Sequence, residues 1–161
     1  MDATHTAEDH YRRGVEALSA DRGAEALAHF RSAHRLEPGS AVYASHYGLA
    51  LGLVERRLDR ALALCREAAK DEFFNPVHYH NLAKLHLAFG FKAEAVRYLR
   101  RGLMIDPDNG PILDEVRALG VRRRPPLGFL RRQNPLNRWV GRVMRGAGIG
   151  SDPAELTALG G

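Results

Sequence analysis

Cysteine is almost missing from this chain. Cys65 is the only one among 161 residues, so no internal disulfide can form and no Cys-x-x-Cys pair is available for metal or redox chemistry. No apolar run approaches the ~18 residues that a membrane-spanning helix requires. Residues 1–10 are polar and acidic, without the positive and apolar regions of a secretory signal. A cytoplasmic location is therefore expected. Catalytic signatures are lacking as well. The glycines are scattered and form no phosphate-binding loop, and no paired carboxylates or Ser/His/Asp set stands in a strand–turn–helix context. The chain is expected to be no enzyme and to use no cofactor.

Histidine, by contrast, occurs eight times. Ligands on one helix share a face only at i, i+3 or i+4 spacing. His78 and His80 are two apart and His29 and His34 are five apart, so no metal site is expected. Arg60 and Arg66 stand near Cys65 and could activate a thiolate, but its place in the pattern below marks a buried, inert thiol. Charge is unevenly distributed. The net value is +5, yet residues 1–121 sum to −1 and residues 122–148 hold eight arginines and no acid. The basic character belongs to the tail, as in an interaction segment.

What the chain has in abundance is self-similarity. Small residues recur at three matching places about 34 apart: Gly14, Gly48, Ala83; then Ala26, Ala61, Ala95; then Ala33, Ala68, Gly102. A period of that length marks a helical-repeat array. Thr6, with Glu8 and Asp9 after it, predicts a helix start, and helix is expected over 7–20, 24–36, 41–54, 58–70, 76–89 and 92–104. Asp21-Arg22-Gly23, Glu37-Pro38-Gly39 and Asp106-Pro107 supply the breaks, since the residue before proline is turned away from the helical region. Ser40 is placed to cap the third helix. Asn75-Pro76 combines a capping side chain with proline at the first helical position. A further helix over 111–119 is expected to cover the last pair. Glycine or alanine at the crossings would let paired helices approach closely, with Phe30, Cys65 and Leu99 filling the space beside them.

In these residues the chain resembles the tetratricopeptide repeats. The matching positions are Gly14, Ala26, Phe30, Ala33 and Pro38; Tyr47, Gly48, Ala61 and Ala68; then Tyr79, Leu82, Ala83, Ala95, Leu99, Gly102 and Pro107. Arg13, Cys65 and Phe73 depart from the family pattern. The resemblance implies an all-α, right-handed α-α superhelix. Its divisions would be an N-terminal cap (1–6), repeats at 7–40, 41–75 and 76–109, a capping helix (110–121) and a basic tail (122–161). It also implies a non-catalytic protein-binding role, as a scaffold, adaptor or chaperone holding an extended or helical peptide in a concave groove. The first helix of each pair would line that groove: Tyr11, Val15 and Ser19; Val42, Ser45, His46, Leu49 and Leu53; Val77, His80, Asn81 and Lys84. Relatives that grip acidic chaperone tails use a clamp of Lys, Asn and Arg. Here the clamp positions read Tyr11, Val15, His46, Val77 and Asn81, and only Asn81 keeps a clamp residue type. An apolar or amphipathic peptide suits such a groove better; the alternative is that neighbouring helices simply cover part of this face.

The tail carries the second signal. Arg122, Arg123 and Arg124 precede Pro125-Pro126, and Phe129 stands before Arg131 and Arg132. From Asn134-Pro135 onward, Leu136, Trp139, Val140, Val143 and Met144 fall on one face of a helix near 135–145, opposite Arg138, Arg142 and Arg145. A helix of about eleven residues is marginal alone in water and needs a surface to stabilise it. Five surfaces stay open: the chain's own repeats, those of a second copy in a homodimer, an anionic membrane, nucleic-acid phosphates with aromatic stacking, or a specific protein partner that folds the tail on binding. A peripheral membrane or nucleic-acid-binding protein working through this tail is thus the alternative to a peptide scaffold.

Overall fold

The computed structural model of the chain describes residues 6–120, where every regular element is an α-helix. They are α1 (Ala7–Ser19), α2 (Gly23–Leu36), α3 (Ala41–Val54), α4 (Leu58–Asp71), α5 (Pro76–Ala88), α6 (Lys92–Ile105) and α7 (Gly110–Ala118). Each expected helix is present, its ends shifted by one residue at most. Consecutive helices pack as pairs, α1 with α2, α3 with α4 and α5 with α6, and α3 also packs against α2 and α5. The chain divides into two compact units at the Ile112–Leu113 bond, inside α7. Residues 1–5 of the expected N-terminal cap and the whole basic tail lie outside the described residues.

Two different devices start the helices, and they alternate. The first helix of each pair begins at a side-chain cap, which satisfies backbone N–H groups that have no partner within the helix. Thr6 accepts from Asp9 N, and the Asp9 carboxylate accepts from Thr6 N, forming a capping box. Ser40 accepts from Tyr43 N and Asn75 from Val77 N. Asn109 accepts from Ile112 N at 3.2 Å, so α7 begins as α1, α3 and α5 do. The second helices have no side-chain cap. Each follows a residue in the left-handed region: Asp21 at φ 58°, Arg56 at φ 56° and Gly90 at φ 83°. At Asp21 and Gly90 the reversal is closed by bonds from Arg22 N to Ala17 O and from Phe91 N to His86 O, both 2.8 Å.

Within the pairs the small residues work as expected. A Cβ on Gly14 would stand 2.6 Å from the Phe30 ring, and one on Gly48 would stand 2.9 Å from both Ala61 O and Cys65 Sγ. Gly52 is just as tight, because a Cβ there would collide with Leu85 of α5. At Gly102 the obstacle is Ile112 Cδ1 at 2.5 Å, so the start of α7 fills the surface left open by α6. Phe30, Cys65, Leu99 and Ile112 are all fully buried. Leu49, Leu62, Leu82 and Leu85 form the largest cluster, joining the second pair to the third.

Gly48→Ala should lower stability by about 2 kcal/mol, since a methyl forced against a backbone oxygen is overpacking. Gly39→Ala, where nothing lies within 4 Å of the added Cβ, should change it by less than ~0.5 kcal/mol. Urea denaturation of the two variants beside wild type checks the contrast.

Candidate functional site

The helices that open the three pairs bring together residues about one repeat apart. The Tyr11 hydroxyl of α1 lies 3.5 Å from His46 Nε2 of α3. Its ring centroid is 5.0 Å from that of His46, 5.1 Å from Tyr43 and 5.9 Å from Phe30. Tyr43 in turn donates its hydroxyl to Glu8 Oε2 at 2.9 Å, which ties α3 back to α1. Further along, Asn81 of α5 donates to Ser45 Oγ of α3 at 3.0 Å. Charge on His46 would also meet His78, His80 and Lys84 of α5. Tyr11, His46 and the α5 residues thus share one environment across three helices.

Burial sets the character of this environment. His46 Nδ1 lies 2.9 Å from the Val42 carbonyl oxygen, which can only accept, so Nδ1 carries the proton and Nε2 faces Tyr11. Burial pushes the imidazole from the ordinary 6.5 down to about 4, against the Val42 hydrogen bond and with the basic α5 side chains adding to the fall. His46 is therefore neutral at pH 7. Burial also raises the Tyr11 phenol, helped by the nearby Glu8 charge. Beneath this layer Cys65 donates to Ser45 O at 3.2 Å, and burial pushes its thiol up to about 12. It is the inert core thiol that its position in the repeat implied.

The expected groove residues divide into two groups. Val15 and Val77 are 41% and 36% exposed, Ser19 is exposed, and Tyr11, Val42, His46, Leu53, His80 and Lys84 are partly exposed. Ser45, Leu49 and Asn81 are buried at 0%, 1% and 3% exposure, which corrects their assignment to an open groove. The reason is position: α3 is flanked by helices on both sides and buries nine of its fourteen residues. Leu49 belongs to the central apolar cluster, and Ser45 and Asn81 satisfy each other inside the stack. Ser19 turns its hydroxyl onto its own helix, donating to Glu16 O at 2.9 Å.

Tyr43 and Phe30 were not expected in this environment. Tyr43 sits 35 residues from Glu8, and Tyr11 sits 35 from His46, so the repeat period applied to pairs of positions would have found both contacts. His10 and His29 also meet, Nδ1 to Nδ1 at 3.2 Å, although 19 residues separate them. Among the described residues no group of three His, Cys, Asp or Glu side chains is placed to hold a metal, and no helix is long and apolar enough to cross a membrane. The tail positions from 122 to 145 lie outside the described residues.

No protein-family model and no curated sequence matches the chain. Among solved structures it is similar to the first TPR domain of Spaghetti (RPAP3), bound to the HSP90 peptide SRMEEVD, at a TM-score of 0.55 and 17% identity. The match covers 73% of this chain and 96% of that one. At that identity the likeness shows the fold, which is the tetratricopeptide solenoid.

Neutral His46 makes stability depend on pH. The unfolded chain binds a proton near pH 6.5 and the folded chain only near 4, so stability is fully present above 6.5 and falls as pH drops toward 4. The slope from one such group is up to ~1.4 kcal/mol per pH unit. Burial lowers His34 and His86 in the same direction. Urea melts at pH 7 and pH 5 should show a clear loss, and His46→Asn should flatten it; an equal loss in the variant would move the effect elsewhere.

Proposed function

We propose that this chain is a small cytoplasmic adaptor or chaperone. Its concave face, formed by the first helices of the three pairs, holds an extended or helical peptide of apolar or amphipathic character. What carries this reading is the composition of that face. Tyr11, Val15, Val42, His46, Leu53 and Val77 are at least partly exposed, and Lys84 is the single Lys or Arg among the twelve expected groove residues. With His46 neutral, little positive charge is available to hold an acidic ligand. The peptide bound by the RPAP3 domain, SRMEEVD, carries three acids, whereas the positions a cationic clamp would use are here Tyr11, Val15, His46, Val77 and Asn81, of which only Asn81 keeps a clamp residue type. The likeness therefore supports a peptide-holding role, and the side chains favour a different peptide.

A displayed library of random peptides, selected on the full-length protein, tests this. Selected peptides should be rich in apolar residues, and Val15→Asp and Val77→Asp should each weaken them by about tenfold without lowering the melting temperature. Failure to recover any apolar-rich peptide that the two variants weaken would defeat the proposal.

A further inference from the structure

A second concavity, of about 360 Å³, opens where α4 meets α5 and α6. It shares no residue with the proposed peptide groove. Three cations and three aromatic rings line it: Arg66 and Lys70 on α4, Arg101 on α6, and Phe73, Tyr79 and Tyr98. The Arg101 guanidinium lies 5.1 Å from the Tyr79 ring centroid. That ring is fixed in turn, because its hydroxyl donates to Phe73 O at 2.9 Å. Phe73 and its neighbour Phe74 are 67% and 64% exposed. No carboxylate is among the lining residues.

The preceding junction provides an internal comparison. One repeat earlier, Arg31 occupies the place of Arg66, and it is paired with Glu55 at 2.7 Å. Glu67 occupies the place of Arg101, and its charge reaches His34. Glu55 thus pairs with Arg31 at the first junction, with Glu67 close by. At the second junction those acids are gone. Phe89 ends α5 where Glu55 ends α3, and Arg101 itself replaces Glu67. Three cations beside an exposed Phe73 ring offer an anion placed among them charge-assisted hydrogen bonds.

We propose that this depression is a second docking site, which captures an acidic, aromatic-bearing segment of a partner protein. Carboxylates of the segment pair with Arg66, Lys70 and Arg101, and its apolar side chain lies against Phe73 and Tyr98. The chain's own tail does not match, since residues 122–148 carry eight arginines and no acid, and residues 149–161, which hold Asp152 and Glu155, have no aromatic ring. A nucleic-acid strand is disfavoured because Glu67 and Asp71, both exposed, follow directly on Arg66 and Lys70 and interrupt a continuous positive track. The depression takes one or two side chains, the scale of a short peptide motif.

Fluorescence anisotropy on the full-length protein tests the proposal, with a labelled peptide alternating glutamate and phenylalanine as the probe. A glutamine-for-glutamate version of the peptide and a labelled single-stranded oligonucleotide serve as separate arms. Wild type should bind the acidic peptide, and the glutamine version should bind far more weakly. Arg66→Glu combined with Arg101→Glu should weaken the acidic peptide by about tenfold or more, and Lys70→Glu, at an exposed position, should weaken it in the same direction. Val15→Asp and Val77→Asp should leave this binding unchanged, which separates the site from the proposed groove. Circular dichroism melts confirm that each variant is folded. Three results would overturn the proposal: no binding by wild type, equal binding by wild type and the folded charge-reversal variants, or an oligonucleotide bound more tightly and lost with the same substitutions.

Discussion

The structure depends on how closely the helices of a pair can cross. At Gly48 the missing Cβ lets the α3 backbone come down onto α4, so near that a methyl would meet Ala61 O and Cys65 Sγ. Everything beneath the α3 face follows from that approach. Cys65 loses all contact with solvent and turns its thiol onto Ser45 O. Ser45, drawn inside, has its hydroxyl satisfied by Asn81 of the next pair. A buried hydroxyl and amide each cost free energy unless they are bonded, and here the two satisfy one another across α3 and α5. Close packing within one pair thereby helps fix the register between pairs.

The same approach governs which residues remain exposed. A helix at the edge of a stack has one buried stripe, whereas α3 and α5 have neighbours on two sides and bury more than half of their residues. Few positions are left facing outward, and those stand above a layer of rings: Tyr11, Tyr43, His46 and Phe30. Burial among these rings keeps His46 uncharged and raises the Tyr11 phenol. The face is consequently one of low charge, although the chain as a whole is basic.

These facts also decide what could be read from the sequence. Helix ends were legible because they are local: Thr6, Ser40, Asn75 and the prolines state them within a few residues. The turns were legible as turns, but only Gly90 advertises a left-handed residue; Asp21 and Arg56 adopt the same conformation because the turn between paired helices demands it. Coverage of part of the face by neighbouring helices was a legible alternative, but not that Ser45, Leu49 and Asn81 would be the residues covered. In a helix buried on two sides, periodicity no longer separates inward from outward positions, so a family's groove positions can fall inside the stack. The acid-free depression at Arg66 and Arg101 was hidden for a related reason: it joins α4 to α6, and only a comparison of successive junctions shows that its acids are missing.

The repeat logic reaches one step beyond the third pair. Asn109 stands 34 residues after Asn75, as Asn75 stands 35 after Ser40 and Ser40 stands 34 after Thr6. Each of the four caps the helix that follows it. The start of α7 is therefore the opening of another unit, and it brings Ile112 down onto Gly102 with the closeness seen inside the pairs. A solenoid must cover the apolar surface of its last pair. This chain begins to do so with the start signal and the small-residue contact that build the array itself. The end of the stack is thus made from the repeat's own parts, and no separate capping chemistry is needed where α7 begins.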